Sequence, residues 1–147
     1  GDSLDIGGVR LVSKLVALER LGKAAGKGVY DYEGVRRVWP GLTALAEGTP
    51  ERTGVSYLAR RFLLAQAAQV ANCLDSGILR NYRDAEIGAI FGIGFAPHTG
   101  GPLAWMDRQG LQQVVKELDE LTEECGERFR AAPILRSMAE KGERFYP

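Results

Sequence analysis

Apolar residues along this chain recur mostly at three- and four-residue spacing, the period of one helix face. Over residues 9–21, Val9, Val12 and Val16 interleave with Leu11, Leu15 and Leu18, and Gly22 follows as a stop. That spacing predicts a helix. Residues 22–34 are glycine-rich and carry Val29, Tyr30 and Tyr32, which reads as a loop with a short extended piece. Pro40, Gly41, Gly48 and Pro50 punctuate the weakly patterned stretch that follows, and a module boundary is expected near Thr49-Pro50. Residues 54–76 predict a long apolar helix through Leu58, Phe62, Ala65 and Leu74, closed by Gly77. Its dense alanine predicts a close contact with another helix.

The remaining pattern is sharper. Asn81 or Asp84 can cap a shorter helix carrying Ile87, Ile90 and Phe91. Gly92, Gly94, Pro97, Gly100 and Gly101 then break the chain into a turn, and Pro102 is placed to open a short helix. Residues 111–125 form the clearest amphipathic helix: Leu111, Val114, Val115, Leu118, Leu121 and Cys125 share a face, with most of Glu117, Asp119, Glu120, Glu123 and Glu124 elsewhere. Gly126 ends it. Pro133 starts a last helix with Ile134, Leu135 and Met138, ended by Gly142. No strand-period run exceeds a few residues, so the expected fold class is all-α, with about six helices. Both ends of the chain echo one another: Leu15 precedes Gly22 as Leu135 precedes Gly142, and an aromatic follows each glycine.

Composition narrows the function classes. Lys plus Arg equals Asp plus Glu at 19 each, so the formal net charge is zero. Nucleic acid and anionic membrane surfaces are therefore poor partners, since both select a basic surplus. Cys73 and Cys125 have no CxxC spacing and form no disulfide framework. No apolar run approaches the roughly 18 residues of a membrane span. Gly1-Asp2-Ser3 does not open a signal peptide. These features lead to an expectation of a cytoplasmic protein.

Candidate chemistry is sparse. Gly22-Lys-Ala-Ala-Gly-Lys-Gly28 hints at a phosphate loop, but it is one residue short of a Walker A spacing and has Gly28 where a hydroxyl belongs. Gly92-Ile-Gly94 begins like a dinucleotide fingerprint, yet Pro97 stands at the third glycine and a helix precedes it rather than a strand. His98, the only histidine, lacks a visible partner for acid–base work, and with two scattered cysteines it makes no zinc set. The carboxylates of 117–124 read as a solvated helix face, and Arg60-Arg61 as a basic pair more suited to an ion pair than to a phosphate. No catalytic, cofactor-binding or metal-binding residue is assigned.

The block Asp84-Ala-Glu-Ile-Gly-Ala-Ile-Phe-Gly-Ile-Gly-Phe-Ala-Pro-His-Thr-Gly-Gly-Pro-Leu-Ala-Trp-Met-Asp107 resembles the C-terminal helical domain of 3-hydroxyacyl-CoA dehydrogenases, in the form that ends multifunctional fatty acid β-oxidation proteins. The run 61–77, the segment Gly126-Glu-Arg-Phe129 and the ending Phe145-Tyr146 fit the same family, and 18–32 is similar to the tail of a preceding repeat. The resemblance implies a 6-phosphogluconate dehydrogenase C-terminal-like fold. It divides the chain into 1–48, the tail of a first helical repeat with a linker, and 49–147, a second repeat. Gln69 stands where the family has an acidic residue, His98 where it has an aromatic, Ala24 where it has Lys or Arg, and Ala25 where it has a hydroxyl.

In that family a hydride passes between NAD and C3 of a 3-hydroxyacyl-CoA, and the His–Glu pair handling the proton lies in an N-terminal dinucleotide-binding domain absent from these residues. The resemblance thus implies a helical scaffold with no cofactor of its own, partnered by that domain, walling part of an acyl-CoA cleft and pairing through its helical faces as a homodimer. Helix 54–76, around Leu58 and Ala65, is the expected contact. The alternative is a stand-alone, non-catalytic helical interaction module. A chain opening within a repeat is expected of the fragment rather than of the module.

Overall fold

The computed structural model describes residues 7–45 and 54–147. It is mostly helical, and packs as two compact units, Gly1–Arg52 and Thr53–Pro147. The boundary expected near Thr49-Pro50 lies outside the described residues.

In the first unit, α1 spans Gly7–Ala17 and buries Leu15. It ends earlier than the apolar spacing predicts. Glu19 takes a left-handed conformation at φ 56°, and the Arg20 amide donates back to the Leu15 carbonyl at 2.9 Å, so the chain folds over before Gly22. A two-residue antiparallel hairpin follows, β1 (Tyr30–Asp31) and β2 (Arg37–Val38), with Tyr30 opposite Val38. The one-turn helix α2 spans Leu42–Leu45. β1 falls in the short extended piece expected within 22–34, whereas β2 and α2 go beyond the sequence pattern, being too short to show a period.

The second unit holds five helices: α3 (Val55–Asp75), α4 (Tyr82–Ile93), α5 (Pro102–Gln109), α6 (Leu111–Cys125) and α7 (Pro133–Lys141). Their ends follow local chemistry. Asn81 caps α4, its side-chain oxygen accepting from the Asp84 amide at 2.8 Å. Proline opens α5 and α7, where its missing N–H costs no helical bond. α6 turns Leu111, Val114, Leu118 and Leu121 inward. Each such side chain contributes about 1.5–3 kcal/mol when fully buried.

α3 packs on α5 and also meets α4, α6 and α7. It lays Leu64, Ala67, Ala68 and Ala71 against them, and the three alanines are wholly buried. The close helix contact expected of its alanines is therefore made inside the unit. Between α6 and α7, the turn Glu127–Phe129 tucks the Phe129 ring into the same core.

Candidate functional site

Two features of the second unit depart from an ordinary helical core. One is a set of buried carboxylates at the ends of α5. The other is an apolar face that no described residue covers.

Glu86 and Asp107 are only 8% exposed. Glu86, on the inner face of α4 beside Ala85 and Ala89, aims its carboxylate at the start of α5. It accepts from the Leu103 amide at 3.2 Å and the Ala104 amide at 2.7 Å, two of the donors that a helix start leaves unmatched. Burial is the main cause holding its carboxyl above the ordinary range; the two amides act the other way, and the Asp107 charge adds to the rise. Burial also pushes the Tyr146 hydroxyl up, and the Glu86 charge and its hydrogen bond to Tyr146 add to that.

Asp107 works at the far end of α5. Its two carboxylate oxygens accept from the amides of Phe145 at 3.0 Å and Tyr146 at 2.9 Å. Phe145 and Tyr146 both stand edge-on to Tyr82, with centroids 5.1 and 6.2 Å away. One carboxylate thus starts α5, and the other pins the chain beyond α7 to its end.

Gly101 makes the first arrangement possible. Its φ is 113°, a region side-chain-bearing residues rarely adopt, and a Cβ there would lie 2.0 Å from the Glu86 carboxylate. A groove of about 370 Å³ between α5, α6 and α7 reaches Asp107, but both of its carboxylate oxygens already accept from backbone amides. The chemistry this cluster performs is structural.

The second feature runs along the outside of α3. Val55, Leu58 and Phe62 follow one another at three- and four-residue spacing and are exposed, Phe62 by 68%. With Ala65, Arg61, Arg128 and Phe129, Leu58 and Phe62 line a groove of about 390 Å³. On α4, Ile87, Phe91 and Ile93 are exposed as well, Phe91 by 85%. Small Ala85 and Ala89 are the buried residues of α4, and the larger Ile87 and Phe91 face out.

The remaining candidates separate. In the Gly22–Gly28 loop, the amides of Gly22, Gly26 and Gly28 donate to the carbonyls of Lys27, Lys23 and Tyr30. The loop closes on itself and on Arg20, whose Nε donates to the Gly28 carbonyl at 2.7 Å while its guanidinium lies 4.1 Å over the Trp39 ring. A Cβ on Gly28 would sit 2.8 Å from the Gly22 backbone, so these glycines serve chain closure. His98 is exposed in the turn Pro97–Thr99. Arg60 and Arg61 diverge. Arg60 binds Glu117 through Nε at 2.7 Å and Nη2 at 2.9 Å and lies 4.7 Å over Trp105, whereas Arg61 stacks on Phe129 at 5.5 Å. Glu117 is therefore part of a clamp between α3 and α6 rather than of a solvated face, and the Arg60 guanidinium holds its carboxyl below the ordinary range.

Sequence reasoning passed over Glu86 and Asp107. The available signal was a lone carboxylate between Ala85 and Ala89 on the inward face of α4, and a second at the end of the Leu103–Trp105–Met106 run. Among the described residues no group of three His, Cys, Asp or Glu could hold a metal ion, and no helix is long and apolar enough to cross a membrane.

No family model matches the chain. Its sequence is similar to the protein named fatty acid oxidation complex subunit alpha in several bacteria. It is 43% identical to the one from Vibrio cholerae over 131 residues, 87% of this chain and 18% of that protein. The Vibrio vulnificus protein is 40% identical over 129 residues, 86% of this chain and 18% of its own length. The Idiomarina loihiensis protein is 40% identical over 137 residues, 90% of this chain and 19% of its own length. The chain thus spans less than a fifth of the relatives it matches.

Proposed function

We propose that this chain is the C-terminal helical portion of an NAD-dependent 3-hydroxyacyl-CoA dehydrogenase of fatty acid β-oxidation. Its work is that of scaffold, contact surface and partial wall of the acyl-CoA cleft. The observation that carries the reading is the match of 86–90% of the chain, at 39–43% identity, to proteins named as fatty acid oxidation complex subunit alpha. The site geometry agrees with a supporting role: the buried carboxylates hold helix ends, and the large exposed side chains are apolar.

In this reading the dinucleotide-binding domain lies outside residues 1–147, binds NAD and carries the acid–base pair. The partners of the helical portion are that domain, the acyl-CoA in the shared cleft, and a second copy. The setting is the cytoplasm. Ala67, Ala68 and Ala71 of α3 are packed inside the unit and the groove at Leu58 and Ala65 is flanked by Arg61 and Arg128, so a second copy would pair through the exposed face of α4, with Ile87 and Phe91 as contacts.

Two measurements test the reading. NADH titrated calorimetrically into this chain alone is expected to show no saturable heat, because the described residues include no strand–glycine turn–helix unit to hold a pyrophosphate. The longer protein containing it is expected to oxidise NADH with a 3-oxoacyl-CoA. A longer protein without that activity overturns the assignment.

A further inference from the structure

Three of the nine described arginines of the second unit pair with a carboxylate. Arg60 is held by Glu117, Arg130 by Glu127 and Arg136 by Asp119. Arg61 and Arg128 differ. Each guanidinium stacks on the ring of the same phenylalanine, Phe129, at 5.5 and 5.3 Å, and neither has a carboxylate partner among the described residues. Stacking on a ring fixes a guanidinium's plane and leaves its edge donors unfilled, a geometry suited to gripping a carboxylate. Between these cations and Leu58, Phe62 and Ala65 runs the groove of about 390 Å³.

We propose that the groove between α3 and the Glu127–Phe129 turn docks an amphipathic helix from outside this chain, which places a large apolar side chain against Leu58 and Phe62 and a carboxylate on Arg61 and Arg128. The shape supports a helix: the exposed positions 55, 58 and 62 repeat at the spacing of a helix seam, and a helix laid on a helix face engages such rows of anchors. The charge decides against pairing of this face with its own copy. Across a two-fold axis the same patch meets itself and sets two guanidiniums against two more, while the acids nearest Arg61, Glu120 and Glu124, lie on its α6 side rather than in the groove. The acid-rich helix of this chain, α6, does not supply the occupant either, because its apolar residues Leu111, Val114, Leu118 and Leu121 point into the core. The inference is independent of the dehydrogenase reading, whose test reads NADH and not this groove.

The experiment uses the whole chain and two fluorescent synthetic peptides of about four helical turns. Both carry Leu and Phe at alternating three- and four-residue spacing; one has Glu flanking the apolar row and the other has Lys. Anisotropy titrations are expected to show saturable binding of the Glu peptide, tighter than the Lys peptide by on the order of tenfold, with a preference that weakens as salt rises. Arg61→Glu with Arg128→Glu is expected to invert the preference, and Phe62→Ala to weaken both peptides, each with an unchanged helical circular dichroism signal. Equal affinity for the two peptides, or a preference that survives the double charge reversal, overturns the proposal. So does concentration-dependent dimerisation that Phe62→Ala abolishes, since the occupant would then be a second copy.

Discussion

The two ends of α5 and the outer face of α3 use polar and apolar groups in opposite ways. At α5, two carboxylates are buried and accept from the backbone amides of Leu103, Ala104, Phe145 and Tyr146. On α3, large apolar side chains face outward beside two guanidiniums that lack acids. The buried carboxylates are therefore matched by backbone amides, while several large apolar side chains of α3 and α4 face outward. Burying a charge is tolerable only where it is hydrogen-bonded, and a contiguous exposed apolar patch is unusual on a lone monomer.

The contrast is broken most severely at Gly101. Gly101→Val forces a side chain into positive φ and into the space of the Glu86 carboxylate, and is expected to cost about 3–5 kcal/mol, the sum of backbone strain and a displaced buried charge. Urea unfolding measures it, and an unchanged midpoint would show that the two segments part easily. Asp107→Ala comes next. It leaves the Phe145 and Tyr146 amides without acceptors and is expected to cost about 2–3 kcal/mol. Faster amide exchange beyond α7, with α3 still protected, would locate the loss.

Glu117→Gln is expected to cost about 1 kcal/mol at neutral pH, the scale of a partly exposed clamp. Its pH dependence separates it from Glu86. Glu117 is held below the ordinary carboxyl value by Arg60, so its contribution is present above roughly 4.3 and is lost as pH falls through its lowered value. Glu86 is held above that value by burial, so its contribution is largest below roughly 4.3 and declines as pH rises through its raised value. Melting curves of Glu117→Gln and Glu86→Gln against the parent, taken from acid to neutral pH, are expected to give difference plots of opposite slope. Parallel plots would mean that the two carboxylates share one environment.

Phe62→Glu should have the smallest effect on folding, within about 0.5 kcal/mol, because the side chain has little packing to lose. A destabilisation several times larger would show that the α3 face is covered within the chain.

Much of the second unit was legible in advance because its punctuation is local. Gly77, Gly126 and Gly142 stop helices, Pro102 and Pro133 start them, and Asn81 caps α4, each by chemistry confined to one turn. α6 declared its inner face because its apolar row is narrow and its other faces are charged. The resemblance of residues 84–107 pointed to proteins that the curated relatives also represent, whereas no residue type in that block spelled out a role for Glu86.

What the sequence determined by itself, then, was where the helices of the second unit begin and end and which side of α6 is buried. Only the tertiary structure decided which side of α3 and α4 is buried. Those helices are apolar around much of their circumference, so periodicity leaves the choice of face open. Packing settles it by size: α5 approaches closely enough to accept Ala67, Ala68, Ala85 and Ala89 but has no room for Phe62 or Phe91. The same approach carries the start of α5 to Glu86, where two unmatched amides and a missing Cβ at Gly101 make a buried carboxylate tolerable. That depends on contacts between residues 15 or more positions apart, which no local pattern encodes.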